Sequence, residues 1–224
     1  MAAVAFAPLP RAQKRQRLLL ALGAAVLGAA WLGPLPQWSQ HLFTAHMGMH
    51  VLVVAVAAPL IAIGLAGARI DPVRRAPALF APVPTSVLEL VIVWAWHAPA
   101  LHHAARQSAL LLVAEQASFL LAGLLVWLSA FGGAHSRDRA AAGVGGLLLT
   151  SMHMTLLGVL LAGASRPLYA HGEAAAIASR FGLTALEDQQ LGGVLMLAVG
   201  GTAYLAGGLV LLAALLRDRR GAPR

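Results

Sequence analysis

Long apolar runs separated by short basic clusters restrict the fold of this chain more than any other feature. Several runs approach or exceed the roughly 20 apolar residues that an α-helix needs to cross the hydrocarbon core of a bilayer. With 59% hydrophobic and 11% charged residues, the chain is too apolar for an ordinary soluble domain. The expected fold class is therefore all-α, a polytopic bundle of membrane helices.

The apolar runs predict six transmembrane helices in one domain. We place them at 18–35, 44–68, 84–99, 108–131, 142–164 and 190–216. The first and third are short for a full crossing. Residues 18–216 then form a single transmembrane domain between two basic tails, 1–17 and 217–224.

Lysine and arginine predict the orientation of the bundle. Of the 16 basic residues, thirteen fall on one side of the six predicted spans and three on the other. The larger group is Arg11, Lys14, Arg15, Arg17, Arg69, Arg74, Arg75, Arg137, Arg139, Arg217, Arg219, Arg220 and Arg224, and the smaller is Arg106, Arg166 and Arg180. Cytoplasmic loops carry an excess of Lys and Arg, so both termini are predicted to be cytoplasmic. The net charge of +8 is a topology signal, and no nucleic-acid partner is expected.

The first apolar run has a second interpretation, a cleaved signal peptide. A basic stretch precedes it, and the small residues Ala29 and Ala30 lie near its end. The run continues into Trp31 and Leu32, which favours a retained helix. Cleavage would leave the orientation of the other five helices unchanged.

Histidines at one end of the predicted bundle indicate where function lies, because polar side chains in hydrocarbon are costly. His46 and His50 are four residues apart at the outer end of the second helix, so both imidazoles project from one face. Met47 and Met49 add thioethers in the same turn. Since the chain has no cysteine, this combination suits copper. The same spacing also fits histidines that reach toward lipid headgroups.

Three further histidine positions differ in what they predict. His153 lies about halfway down the fifth helix, where an imidazole needs a metal, a polar side chain or a carbonyl as its partner. His97 lies at the outer end of the third helix, which Pro99 ends. For His102 and His103, just beyond, we expect solvated rings at an aromatic belt.

Acidic residues mark the fourth and sixth helices. Glu115 lies about two turns inside the fourth helix, so its carboxyl must pair or be protonated. Thr184 and Glu187 form a capping-box pattern at the start of the sixth helix. Asp188 either belongs to this acidic helix start or orients a ligating imidazole. Met196, two turns inward, is a candidate soft ligand.

Three strings, in this order, resemble the cytochrome c oxidase assembly factor CtaG family, which is associated with caa-type oxidases. The likeness spans about His41 to Met196. The strings are His46, Met47, Gly48, Met49 and His50 leading to Ala58, Pro59, Leu60 and Gly64; Trp96, His97, Ala98, Pro99, Ala100 and Leu101; and Leu183 to Met196, with Leu186, Glu187, Asp188, Gln189 and Gln190 followed by Gly193.

The resemblance implies a multi-pass protein of the bacterial inner membrane that supports maturation of a haem–copper oxidase by handling copper for its CuB centre. The implied partners are the oxidase subunit that carries CuB and a periplasmic copper donor, besides the lipid bilayer. The histidines of the family map onto His46, His50 and His97. Its acidic-amide motif maps onto Asp188 and Gln189.

The fourth helix departs from the family pattern. Where the family commonly has a Glu-His pair, this chain has Glu115 and Gln116. We hypothesise that His153 on the fifth helix stands in for the missing imidazole.

The combined prediction is a copper-binding membrane assembly factor, a metallochaperone and not an enzyme. The predicted metal ligands are His46, His50, His97, His153, Met47 and Met196, with Asp188 and Glu115 orienting them. One alternative is a haem b electron-transfer protein with two axial histidines. Another is a small transporter that uses Glu115 and His153 as an ion path, although no inverted repeat supports it. The chain has no nucleophile elbow, phosphate-binding glycine loop or zinc-protease signature.

Overall fold

The computed structural model describes residues 11–133, 136–169 and 182–221, and within these ranges the chain is helical, with no strand. We number the helices α1 to α8. They are α1 (Arg11–Leu32), α2 (Leu35–Ser39), α3 (Phe43–Leu65, with the π-helical segment Leu52–Ala57), α4 (Pro82–Trp96), α5 (Pro99–Gln107), α6 (Ala109–Phe131), α7 (Arg137–Ala162) and α8 (Ala185–Leu195, the π-helical segment Met196–Gly201 and Thr202–Gly221). Two 3₁₀ turns, Pro72–Arg74 and Pro77–Phe80, connect α3 to α4.

Five helices are long and apolar enough to cross a membrane: α1, α3, α6, α7 and, within α8, Ala185–Arg217. The all-α class is thereby confirmed. The third predicted span is α4, which has only 15 residues. The first is longer than expected, because α1 starts at Arg11, inside the predicted basic tail. The sixth membrane crossing and the orientation of the bundle stay predictions. Residues 1–10 and 222–224 of the predicted tails lie outside the described residues.

Small residues allow α7 to pack closely against α4 and α8. A Cβ atom at Gly158 of α7 would lie 3.0 Å from the carbonyl oxygen of Gly193 on α8. A Cβ at Gly146 would lie 2.9 Å from the carbonyl oxygen of Pro82 at the start of α4. Backbone contact of this kind is how membrane helices gain packing energy without a hydrophobic driving force between them.

The π-helical segment of α3 leaves one backbone carbonyl free for neighbouring helices. The N–H of Ala58 donates to Val53, and Pro59 has no N–H, so the oxygen of Val54 lacks a helical donor. The indole of Trp127 on α6 donates to it at 2.9 Å, and the hydroxyl of Tyr204 on α8 lies 3.3 Å away. The irregular backbone of α3 is therefore satisfied by side chains, as a lipid environment requires.

The loop end of the bundle opposite the histidines is held by Asp71. Its buried carboxylate accepts hydrogen bonds from the N–H groups of Gly67, Val73 and Gly133 at 2.9, 3.0 and 2.8 Å. Gly67 and Gly133 have φ angles of 71° and 79°, a conformation that favours glycine. Asp71 thus joins the α3–α4 connection to the end of α6.

Candidate metal centre

The start of α3 is fixed by a carboxylate that belongs to α8. The residue before the helix, Leu42, gives no side-chain cap. Instead the two oxygens of Asp188 accept hydrogen bonds from the N–H groups of Phe43 and Thr44, at 2.7 and 3.0 Å. The hydroxyl of Thr44 donates in return to the carbonyl of Asp188 at 2.9 Å. Asp188 therefore bonds to the backbone ahead of His46 and not to an imidazole, and it positions the histidines only through α3.

His46, His102 and Glu115 form a compact group of potential metal ligands. One ligand atom from each lies within 4.8 Å of the others, and no other group of three or more His or acidic residues does so in the described part of the chain. The Nε2 atom of His46 is 3.6 Å from Oε1 of Glu115. Ligand atoms that share one ion through bonds of about 2 Å lie roughly 3–4 Å apart. The separation of His46 and Glu115 therefore fits a shared metal ion, with a ligand atom of His102 within 4.8 Å of both.

The facing atoms of this group have no hydrogen-bond partner among the described residues. They are Nε2 of His46, both ring nitrogens of His102 and Oε1 of Glu115. All three side chains are buried, with 1%, 2% and 0% exposure. Because an unpaired buried polar atom is costly, the group is one that a bound cation would stabilise.

Gln116, where the family commonly has histidine, supports Glu115. Its side-chain nitrogen donates to Oε2 of Glu115 at 3.3 Å, and its own oxygen accepts from the indole of Trp31 at 3.3 Å. One carboxylate oxygen is thereby held and the other, Oε1, is left facing His46. Glu115 thus belongs to the group of potential ligands itself, whereas the sequence predicted that it would only orient other ligands.

The expectation that His102 is solvated is wrong. Pro99 starts the separate short helix α5, whose buried residues are His102 and Ala105, three positions apart, so that His102 faces inward and the exposed His103 faces outward. Burial, followed by the nearby His46, His97 and Arg106, lowers the pKa of His102 far below its usual value. The ring is therefore neutral at pH 7, the form that binds metal. The i, i+3 pattern after Pro99 was the available sequence signal.

His50 and His97 form a neighbouring pair. Their ring centroids are 5.5 Å apart, and the ring of His50 also lies 4.1 Å from that of Phe119. The Nδ1–H group of His97 donates to the carbonyl oxygen of Val93 at 2.6 Å. The ring proton is therefore on Nδ1, and Nε2 carries the free lone pair. This Nε2 and both nitrogens of His50 are buried without partners among the described residues.

Two aromatic side chains cover the group of ligands. Phe43 and Tyr169 stack with centroids 4.5 Å apart, and Tyr169 lies 4.5 Å from the ring of His102. The hydroxyl of Tyr169 donates to the carbonyl of His97 at 2.7 Å. Burial raises the pKa of Tyr169 to about 12, so it stays a neutral donor. The cover limits access of water to the imidazoles.

The structure does not bring His153 to these residues. It is buried on α7, and within the described ranges neither of its nitrogens has a hydrogen-bond partner and its ring contacts no other imidazole. The imidazole beside Glu115 is that of His102, so the hypothesis that His153 takes this place lacks support. Met47 packs toward Gly192 of α8, and Met196 is fully buried. Ligation by His153, Met47 or Met196 stays a prediction.

Comparison with known families supports the resemblance seen in the sequence. Residues 3–218 match the family model described as cytochrome c oxidase caa3 assembly factor, Caa3_CtaG. Comparisons with curated proteins and with solved structures give no significant match. The match extends over nearly the whole chain, including all residues of the histidine group and all helices except the last three residues of α8. The chain therefore belongs to the Caa3_CtaG family of cytochrome c oxidase caa3 assembly factors.

Proposed function

We propose that this assembly factor binds copper at His46, His102 and Glu115 and delivers it toward the CuB centre of its oxidase. The observation that carries the proposal is the convergence of two imidazoles and one carboxylate, all buried, with their facing atoms unpaired. The three residues come from α3, α5 and α6, so the group exists only in the folded bundle.

The charge of the group favours a monovalent ion. Neutral imidazoles are the form that binds metal, and Glu115 loses its proton when it binds a cation, so a bound Cu⁺ gives a neutral cluster. A divalent ion would leave one uncompensated positive charge in a buried site, which is costly. Imidazole nitrogen is a ligand that copper accepts readily, and no thiolate is available because the chain lacks cysteine.

The predicted membrane orientation suits delivery to an oxidase. With both termini cytoplasmic, α5 and the start of α3 face the outer side of the inner membrane, where a periplasmic donor would supply the metal. The oxidase subunit that carries CuB is the proposed acceptor, and the role is transfer without catalysis.

The geometry favours copper over the haem alternative. A haem held by two histidines needs its wide flat macrocycle between the two imidazole rings. Here the rings of His46 and His102 lie in direct edge contact, with centroids 4.6 Å apart and planes at 83°. The rings of His50 and His97 are 5.5 Å apart. Both pairs are also closely packed, with His46 in edge contact with His102 and the ring of His50 at 4.1 Å from that of Phe119, so a macrocycle would have to displace these neighbours.

The metal content of purified protein tests the proposal. The wild-type protein and the double variant His46→Ala, His102→Ala are expressed with copper, purified in detergent and compared by elemental analysis. We expect bound copper in the wild type and clearly less copper per chain in the variant, because two of its proposed ligands are gone. His103→Ala, an exposed change on the same helix, is the matched control. Equal copper in all three proteins would contradict the site.

Oxidase maturation tests delivery. In cells that lack this protein, we expect oxidase subunits that are present but inactive and poor in copper, with rescue by wild type and His103→Ala but not by His46→Ala, His102→Ala. Fully active oxidase in the deletion strain would refute the proposed delivery.

A further inference from the structure

The unpaired imidazole nitrogens of the bundle fall into two groups. His46, His102 and Glu115 bring their ligand atoms within 4.8 Å of one another. His50 and His97 are not part of that group, although they are equally buried and Nε2 of His97 and both nitrogens of His50 lack partners in the described part of the chain. One ion at the first group therefore leaves the second pair unsatisfied.

We propose that His50 and His97 form a second, inner metal subsite for Cu⁺, adjacent to the outer subsite of His46, His102 and Glu115. This inference rests on the proposed copper function and extends it from one ion to two positions along a path. Two neutral nitrogen donors are a sufficient ligand set for Cu⁺, which accepts two-coordinate geometry, whereas divalent ions such as Zn²⁺ normally take four ligands.

The two subsites are one helical turn apart. His50 follows His46 by four residues on α3, which corresponds to about 6 Å along the helix axis. The ring of His97, in the inner subsite, has its centroid 5.5 Å from that of His50 and 6.4 Å from that of His46 in the outer subsite. The ring of His46 is in turn 4.6 Å from that of His102. The four imidazoles thus form a continuous series from α5 inward.

A series of this kind permits transfer by ligand exchange. An ion held by His46 gains a bond to Nε2 of His97 as its bonds to His102 and Glu115 break, and then gains His50 as the bond to His46 breaks. Copper stays Cu⁺ throughout, so no electron is transferred. The proton on Nδ1 of His97 remains on the hydrogen bond to Val93, which keeps Nε2 free to bind.

The two subsites differ in charge, and this sets their order of affinity. The outer subsite contains the carboxylate of Glu115, whereas the inner pair is bordered by the apolar ring of Phe119 and forms no compact ligand group with an acidic residue among the described residues. Cu⁺ at the inner pair therefore keeps a net positive charge in a buried environment, which weakens binding. We expect the outer subsite to fill first.

Anaerobic titration with Cu⁺ against a competing chromophoric chelator, with elemental analysis, tests the inference. We expect two copper ions per wild-type chain in two phases, and one ion in the tighter phase for the double variant His50→Gln, His97→Gln. The variant His46→Gln, His102→Gln should lose the tighter phase. His103→Gln is the control and should bind two. Zn²⁺ should bind at a ratio of one or less.

The outcomes separate this inference from the proposed function. If the wild type binds one ion and both double variants lose it, the histidines share a single site. That result overturns the inner subsite and leaves the copper function intact. Two ions retained in His50→Gln, His97→Gln also overturns it. No copper in wild type refutes the proposed function itself. Size-exclusion elution and thermal unfolding in detergent must match wild type for a variant to be scored. The single change His50→Gln, expected to bind one ion, replaces His50→Gln, His97→Gln if that variant fails, and His102→Gln, expected to weaken the tighter phase, replaces His46→Gln, His102→Gln.

Discussion

Asp188 holds the start of α3 about one helical turn from His46, so it positions the proposed metal ligands through the backbone of that helix. Its two oxygens supply the helix cap that Leu42 does not. Charged hydrogen bonds of this kind contribute about 1.5–3 kcal/mol each, and a lost cap costs about 1 kcal/mol. Replacement by alanine should lower the free energy of unfolding by about 2 kcal/mol and weaken Cu⁺ binding, because His46 and His50 move with the helix start.

The change Asp188→Asn separates position from charge. The amide oxygen still accepts one N–H, so we expect a smaller loss of stability and partial recovery of Cu⁺ affinity relative to Asp188→Ala. Chemical denaturation in detergent and chelator competition measure the two effects. Copper affinity unchanged in Asp188→Ala would show that the start of α3 does not position the ligands.

The carboxylate of Glu115 is the charge that neutralises Cu⁺ in the proposed outer subsite. Glu115→Gln keeps the size of the side chain and removes the charge, so the affinity for Cu⁺ should fall by about tenfold or more, equivalent to about 1.4 kcal/mol. Glu187→Gln, an exposed change in the capping box of α8, is the control and should leave the affinity unchanged. Equal affinity in both variants would show that Glu115 does not contact the ion.

For individual residues, the sequence predicted some members of the site and missed others, and the reasons can be identified. The four-residue spacing of His46 and His50 is local, so one helix face follows directly from the sequence. The burial of His102 depends on how α5 packs against the bundle. The partners of Asp188 lie 144 and 145 residues away in the chain. Pairings of that separation are decided by helix packing, which a single sequence does not specify.

The π-helical segment of α3 is the element whose shape depends most on its neighbours. Trp127→Phe removes the indole that donates to the carbonyl oxygen of Val54 at 2.9 Å, and the Tyr204 hydroxyl, 3.3 Å away, is then the donor left near that oxygen. Tyr204→Phe removes this hydroxyl, whose shorter hydrogen bond, at 2.5 Å, goes to Oε1 of the buried Glu89, so this change alone should cost about 1–3 kcal/mol and Trp127→Phe about 1 kcal/mol. The double change leaves both buried acceptors without these donors, so the loss should exceed the sum.

Thermal and chemical unfolding in detergent of the wild type, the two single variants and the double variant measures these losses of stability. Gln190→Ala, which removes a side-chain hydrogen bond to Ala164 at the other end of α8, is a useful comparison because its effect should add to that of Trp127→Phe. Additive losses for Trp127→Phe and Tyr204→Phe would show that Val54 does not depend on the two donors jointly.

Element positions were predicted best where an apolar run has sharp ends. The fourth predicted span, 108–131, matches α6 at Ala109–Phe131, because Ser108 caps the helix and glycine follows it. The helix that contains the first predicted span starts before the apolar run, since the arginines and lysine ahead of Leu18 are good helix formers and extend α1 to Arg11. The short helix α5 was not predicted, because its polar sequence carries no membrane signal.

For the whole molecule, two sets of polar contacts lie at opposite ends of the bundle. The imidazole series lies where α3 begins and α4 ends, whereas Asp71 and Arg139 tie the connections at the opposite end. The side chain of Arg139 donates to the carbonyls of Phe80 and Gly132, which fixes the loops there. An ion that reaches the imidazoles therefore has its shortest route from the end that holds α5.

The orientation of the bundle decides which compartment supplies that ion, and it can be measured because the chain has no cysteine. His103→Cys at the histidine end and Arg137→Cys at the other end each introduce one thiol at an exposed position. The excess of Lys and Arg on the Arg137 side predicts that this side is cytoplasmic. A membrane-impermeant maleimide should therefore label His103→Cys in intact spheroplasts and label Arg137→Cys only after the membrane is permeabilised. The reverse pattern would place the imidazoles on the cytoplasmic side, and copper would then have to come from the cytoplasm.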